Sequence, residues 1–300
     1  MASKLYLGYG LAVIVTLAYS LWYLGLGVLE GLSGGAYSPI VPLLLIELIS
    51  AFIVVLLMLL MKKPIIKSGF KPIYAVASGL TLGAGNYVFF TTIGASGVAF
   101  ASSFATAEIA VFTLLLWISS RERRSAWLYL VGSIIVTAGL IIESFRLNGS
   151  AVVLNAQLIE YGTALALLYG FGTFFYYLSL QRTKNQTATM LYVQVTEIAM
   201  FIALLAVFFS GVTLPTFSPY YTAVLLLVAA ALFLSFYGET TMVNMLIPFG
   251  QSAVSTGYIL ASLQLVPVLA YSLLINPGSW ASYTPGIALI VIGSVCLQWK

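Results

Sequence analysis

Apolar residues in this chain fall into long runs parted by short breaks rich in Gly, Pro and Ser. About 20 such residues, rising 1.5 Å each, cross roughly 30 Å of hydrocarbon as a helix. The pattern predicts ten spans, at 5–28, 40–61, 72–92, 97–118, 126–145, 158–180, 189–210, 220–241, 251–274 and 282–299. The breaks include GLSGG at 31–35, Lys63-Pro64, Phe70-Lys71-Pro72, Asn148-Gly149-Ser150, Ser218-Pro219 and Asn276-Pro277-Gly278. No segment reads as a soluble domain. The expected fold is an all-α polytopic membrane protein.

Two of the runs hold one charge each. Leu43 to Met61 reads LLLIELISAFIVVLLMLLM, with Glu47 inside it. LYVQVTEIAMFIALLAVFF, in the other half, contains Glu197. The two glutamates are 150 residues apart in a chain of 300. A charge inside a membrane helix is costly and turns toward a partner or a water-filled cavity.

Alternating the spans across a bilayer sorts the basic residues. One side receives Lys4, Lys62, Lys63, Lys67, Lys71, Arg121, Arg123, Arg124, Arg182, Lys184 and Lys300; the other receives only Arg146. Basic loops stay in the cytoplasm, so both termini are expected there. Ten spans divide into units at 1–150 and 151–300, and five spans per unit would insert the second copy upside down. An offset of 150 pairs Tyr19 with Tyr169 and Glu47 with Glu197. An offset of 154 pairs Gly132 and Gly139 with Gly286 and Gly293, and lays GVAFASSF at 97–104 over QSAVSTGY at 251–258. Inversion further predicts Glu47 in the outer half of its span and Glu197 in the inner half of its own.

Composition narrows the chemistry. The chain is 61% hydrophobic and 7% charged, against roughly 25% charged residues in soluble domains. It has no His and no Asp, and its single cysteine is Cys296. A His base, a His or Cys metal site and an intramolecular disulfide are therefore excluded. No cofactor motif appears. There is no P-loop, and GLTLGAG at 79–85 reads as close-packing glycines inside a span. The net charge of +4 comes from short loops that set topology and does not suggest a nucleic-acid partner. No cleavable signal is evident after Lys4.

The pattern resembles the drug/metabolite transporter superfamily in its ten-span form with two EamA-type repeats. The resemblance rests on ASSFATAEIAVFTLLLWISSRERRSAW with Glu122 at the exit, on YLVGSIIVTAGLII, on ILASLQLVPVLAYSLL with Pro267, and on GIALIVIGSVCL. Departures are Ala107-Glu108-Ile109 near the usual proline, Asn276-Pro277-Gly278 where an exit glutamate is expected, and Glu47 where many relatives have an arginine. The resemblance implies two inverted five-helix units working by alternating access in the plasma membrane. The departures argue against the anionic cargo of some branches, such as nucleotide sugars.

Glu108 is the sharpest candidate for a substrate and proton or cation site. It lies halfway along its span among Ala101, Ser102, Ser103, Ala105 and Ala107, at the depth where transporter sites gather. There it can bind a proton or a cationic substrate, and competition between the two would give antiport. The alternative is a protonated Glu tying two helices together. Glu47 and Glu197 are candidate coupling carboxylates or, equally, helix–helix contacts. Glu239, near the expected cytoplasmic end of its span, is a further coupling candidate open to water. Tyr19, Trp22 and Tyr169 are the expected aromatic lining of a cation site; Asn86, Tyr258 and Gln264 are the further substrate-contacting candidates. Amines or amino acids become the favoured small-molecule cargo, moved by proton coupling or exchange. An uncoupled facilitator, a nucleotide-sugar or drug-type exporter, a membrane-embedded enzyme and a non-transporting membrane protein stay open. Oligomeric state, direction and stoichiometry are not written in the sequence.

Overall fold

The computed structural model describes residues 2–33, 38–62, 72–119, 130–139, 141–142, 156–183, 186–208, 215, 217–261 and 263, with a few positions between 267 and 296. Ten α-helices are named in chain order: α1 Ala2–Ser33, α2 Ile40–Leu60, α3 Ile73–Ser96, α4 Val98–Thr106, α5 Glu108–Ser119, α6 Leu130–Gly139, α7 Ala156–Thr183, α8 Gln186–Phe208, α9 Pro219–Leu246 and α10 Gln251–Ala261. No strand occurs among the described residues. Seven helical stretches are long and apolar enough to cross a membrane, one of them α4 and α5 taken together. The chain is a multi-pass helical membrane protein.

The seven stretches match the first four and the sixth to eighth expected spans. α6 falls in the fifth and α10 in the ninth; most of the tenth, and the basic loops around 63–71 and 120–129, lie outside the described residues. Several expected boundaries move. α1 continues to Ser33, through the start of the glycine-rich break. α9 runs to Leu246 rather than ending near 241. It starts cleanly because Ser218 Oγ accepts from the Tyr221 N–H at 3.1 Å and Pro219 opens the first turn, where its missing N–H costs nothing.

The fourth span is broken in the middle. Ala107 sits between α4 and α5, with Ala107 N donating to Phe104 O and Ala110 N to Ala107 O, both at 3.1 Å. These tight turns replace the ordinary ladder. Ser102 Oγ bonds Val98 O at 2.6 Å and Thr106 Oγ1 bonds Ser102 O at 2.7 Å. Hydroxyls bonding back to carbonyls one turn earlier loosen and bend a helix. Glu108 thereby becomes the first residue of α5.

Each long helix is apolar on both sides but uses them differently. On α1, Ala12, Val15, Trp22, Leu26 and Leu29 are buried while Leu7, Ile14, Leu17, Leu21 and Val28 face outward. Lipid is as apolar as the interior, so association rests on close packing and interhelical hydrogen bonds rather than on the hydrophobic effect. Both are present. Thr16 Oγ1 donates to Leu260 O at 2.6 Å, joining α1 to α10, and Ser78 Oγ to Gly172 O at 2.9 Å, joining α3 to α7. A Cβ on Gly79 would lie 2.5 Å from Val193 O of α8, and one on Gly83 3.2 Å from Cγ of Glu197. The 79–85 stretch is the close-packing site its spacing predicts.

The packing follows a two-part rule. α1 lies along α9, and α3 lies along α7; α3 packs on α8, and α9 on α2; α5 packs on α7, and α10 on α1; α2 and α8 pack on each other. Exchanging α1 with α7, α2 with α8, α3 with α9 and α4–α5 with α10 leaves these pairings unchanged. Gly97, between α3 and α4, has φ 86° and ψ 161°. Gly250, before α10, has φ 95° and ψ 175°. This positive-φ conformation is open chiefly to glycine, and it recurs at the corresponding junction.

Candidate functional site

The four helices α1, α3, α7 and α9 line a narrow chamber. The break before α5 adds Glu108 to its wall. Tyr19, Trp22 and Tyr23 come from α1, Leu82 and Asn86 from α3, Tyr169 and Thr173 from α7, and Leu232, Phe236 and Glu239 from α9. The sequence candidates Tyr19, Trp22, Asn86, Glu108, Tyr169 and Glu239 therefore share one chamber.

Two carboxyl groups face it. Thr173 Oγ1 donates to Glu108 Oε2 at 3.2 Å. Glu108 also occupies the first turn of α5, where unpaired N–H groups and the helix dipole favour negative charge. Glu239 accepts a hydrogen bond from the Tyr19 hydroxyl and lies beside Tyr258. Among the described residues, no Lys or Arg lines the chamber. The expectation of a water-exposed Glu239 at a helix end is corrected: it is 5% exposed, seven residues before the end of α9.

The aromatic side is ordered by ring contacts. Tyr23 stacks on Phe89 at 4.4 Å and packs against Trp22 at 4.8 Å, and Tyr19 meets Trp22 edge-on at 6.4 Å. Trp22 is 2% exposed, and its indole N–H has no acceptor among the described residues. Tyr258 does not line the chamber. It lies behind Glu239, packed on Phe112 at 4.4 Å. Gln264 lies outside the described residues.

A polar chain leads away from the chamber. Tyr169 donates to Asn86 Oδ1 at 2.9 Å, and Asn86 Nδ2 donates to Glu197 Oε2 at 3.1 Å. Gly85 makes room for this, since a Cβ there would stand 3.0 Å from the Tyr169 ring. Glu197 in turn meets Glu47. The two lie beside each other where α2 packs on α8; Glu47 is the eighth of the 21 residues of α2 and Glu197 the twelfth of the 23 of α8. Glu30, near the end of α1, is half-buried, and Glu160, near the start of α7, is exposed.

Sequence reasoning did not single out Thr173, Leu82, Leu232 or Phe236. A signal existed for the first: Thr173 follows Tyr23 by the same 150 residues that separate Tyr19 from Tyr169. Likewise Gly85-Asn86 and Gly238-Glu239 occupy matching places on α3 and α9 at an offset of 153.

No protein-family model matches the chain, and no curated protein matches it significantly. A solved structure described only as "Crystal structure of protein" is 17% identical, with 95% of each chain covered and a TM-score of 0.64. At that identity the likeness is one of fold alone, and it extends over nearly the whole chain.

Proposed function

We propose that the chain is a secondary transporter of a small amine- or amino-acid-type metabolite, built on the drug/metabolite transporter plan. The observation that supports this best is the chamber between α1, α3, α7 and α9, lined by both Glu108 and Glu239 with no basic residue beside them among the described lining. A carboxylate in a low-dielectric chamber needs a proton or a cation. Aromatic faces beside it suit an ammonium group, and the unpaired Trp22 N–H offers a donor for a cargo's carboxylate. Glu108 is the main exchange site: cargo and proton compete for it.

The exchangeable helix pairings and the matching glycines Gly97 and Gly250 support two five-span units, at 1–150 and 151–300, related by inversion. Such a frame rocks around a fixed midplane site. The basic loops favour cytoplasmic termini and ten spans in a plasma membrane. The lack of His and Asp favours transport over membrane-embedded catalysis.

The test is luminal pH in proteoliposomes, followed with a trapped dye while amines, amino acids and nucleotide sugars are added in turn. A cargo-dependent pH change in the wild type that disappears in Glu108→Gln is the expected result. Equal labelled flux through both proteins without a pH change makes the protein a facilitator and Glu108 a packing residue. No flux of any cargo, with no ligand raising thermal stability, overturns the reading.

A further inference from the structure

Glu47 and Glu197 lie outside the chamber and have no part in holding cargo. They are 1% and 0% exposed. Their side chains lie beside each other where α2 packs on α8. Two ionised carboxylates side by side have no donor between them and repel, so a buried pair without a cation is accommodated by a proton on one of them. Glu47 Oε2 and Glu197 Oε1 find no N–H or O–H donor among the described residues. Asn86 supplies the one amide bond, to Glu197 Oε2.

The surroundings hold the pair rigidly. One turn along each helix, Gln194 Nε2 of α8 donates to Ser50 Oγ of α2 at 2.6 Å. Gln194 is fully buried and its Oε1 has no partner among the described residues. Gly83 lets α3 close over Glu197. No Lys or Arg lies on α2, α3, α8 or α9. The titratable groups facing the pair are Tyr169 and Tyr176 of α7, with Glu108 of α5 and Glu239 of α9 beyond them on the chamber side.

We infer that Glu47 and Glu197 form a single proton-binding site at the α2–α8 crossing, one proton shared by two carboxyls, connected to the chamber through Asn86 and Tyr169. Loss of that proton would leave two like charges in contact with no cation near, which forces α2 and α8 apart or draws in water. Cargo that displaces the Tyr169 ring breaks the Tyr169–Asn86 bond and alters the donor available to Glu197. The proton site stands apart from the transport reading; its use in coupling rests on that reading.

Infrared spectroscopy of the purified protein reads protonated carboxyls directly and needs no cargo. In a Glu108→Gln/Glu239→Gln background, the protein at neutral pH is expected to show one protonated-carboxyl C=O band that shifts in D₂O. Adding Glu47→Gln should alter the band's frequency and the pH at which it titrates, and adding Glu197→Gln should do the same. Both together should abolish it. Absence of the band in the background protein overturns the inference. So does a band that either single substitution leaves untouched, since the carboxyls would then titrate independently. Loss of the band on adding sodium or potassium chloride assigns the pair to a metal cation and overturns the proton site. Tyr169→Phe should move the band's titration midpoint; an unmoved midpoint removes the connection to the chamber. Transport that fails while the band behaves as expected counts against the proposed function and not against the site.

Discussion

The Tyr19 hydroxyl donates to the Glu239 carboxyl, tying α1 to α9 across the chamber. Tyr169 makes the corresponding link from α7 to α3, but its acceptor is Asn86. Each tie adds one hydrogen bond between closely packed helices; α3 and α7 also share the Ser78–Gly172 bond.

Tyr19→Phe removes the hydroxyl that donates to Glu239. A hydrogen bond to a charged group contributes about 1.5–3 kcal/mol. The variant is expected to lose thermal stability in detergent by a comparable amount, and adding Glu239→Gln to Tyr19→Phe should recover part of it. A variant as stable as wild type would show that the bond contributes nothing.

Thr173→Val deletes the hydroxyl that holds Glu108. A neutral donor lost from a carboxylate is worth roughly 1.4 kcal/mol, or tenfold. Cargo affinity should fall about that much by equilibrium binding, while Glu108→Gln should abolish cation-dependent binding. Equal small effects from both would mean that Glu108 does not touch the cargo.

Gly79→Ala places a methyl 2.5 Å from the Val193 carbonyl oxygen, a backbone atom that cannot swing aside. Overpacking of this kind costs about 1–3 kcal/mol, so lower thermal stability and weaker α3–α8 association are expected. Gly10 is the internal control, because nothing lies within 4 Å of a Cβ there. Gly10→Ala should be neutral or stabilising by up to about 1 kcal/mol, since alanine is the better helix former.

Topology can be mapped with single cysteines after Cys296→Ser. Lys63→Cys and Arg124→Cys should react with an impermeant maleimide only after the cells are opened, and Arg146→Cys in intact cells. The reverse pattern would place both termini outside, and labelling of all three from one side would undo the alternation.

Much of the architecture is legible in the sequence because membrane helices announce themselves individually: an apolar run spans whether or not its partners are known. Pairs such as Tyr19 and Tyr169 can be found by offset alone. The break at Ala107 cannot, because alanine is a strong helix former and the bend arises from the Ser102 and Thr106 hydroxyls bonding backward. The sequence places Glu239 too near a helix end because polar Thr240 and Thr241 read as a boundary, whereas Thr240 bonds back to Phe236 and the helix continues. Thr173 is marked there only by its 150-residue offset from Tyr23, since a lone threonine in a span usually satisfies itself on its own helix; its partner lies 65 residues away. The meeting of Glu47 and Glu197 depends on where two helices cross, which no local pattern records.

The helix pairings survive exchange of the two halves, but the side chains do not. Asn86 stands where its counterpart is Glu239, and Thr173 where its counterpart is Tyr23. With identical partners, the chamber tilted toward one membrane face and toward the other would be mirror tasks of equal energy. Unlike partners remove that degeneracy. On the proposed alternating-access function, the chain would therefore have a preferred resting tilt, and neutralising one of the lining carboxyls would change the difference between the two tilts.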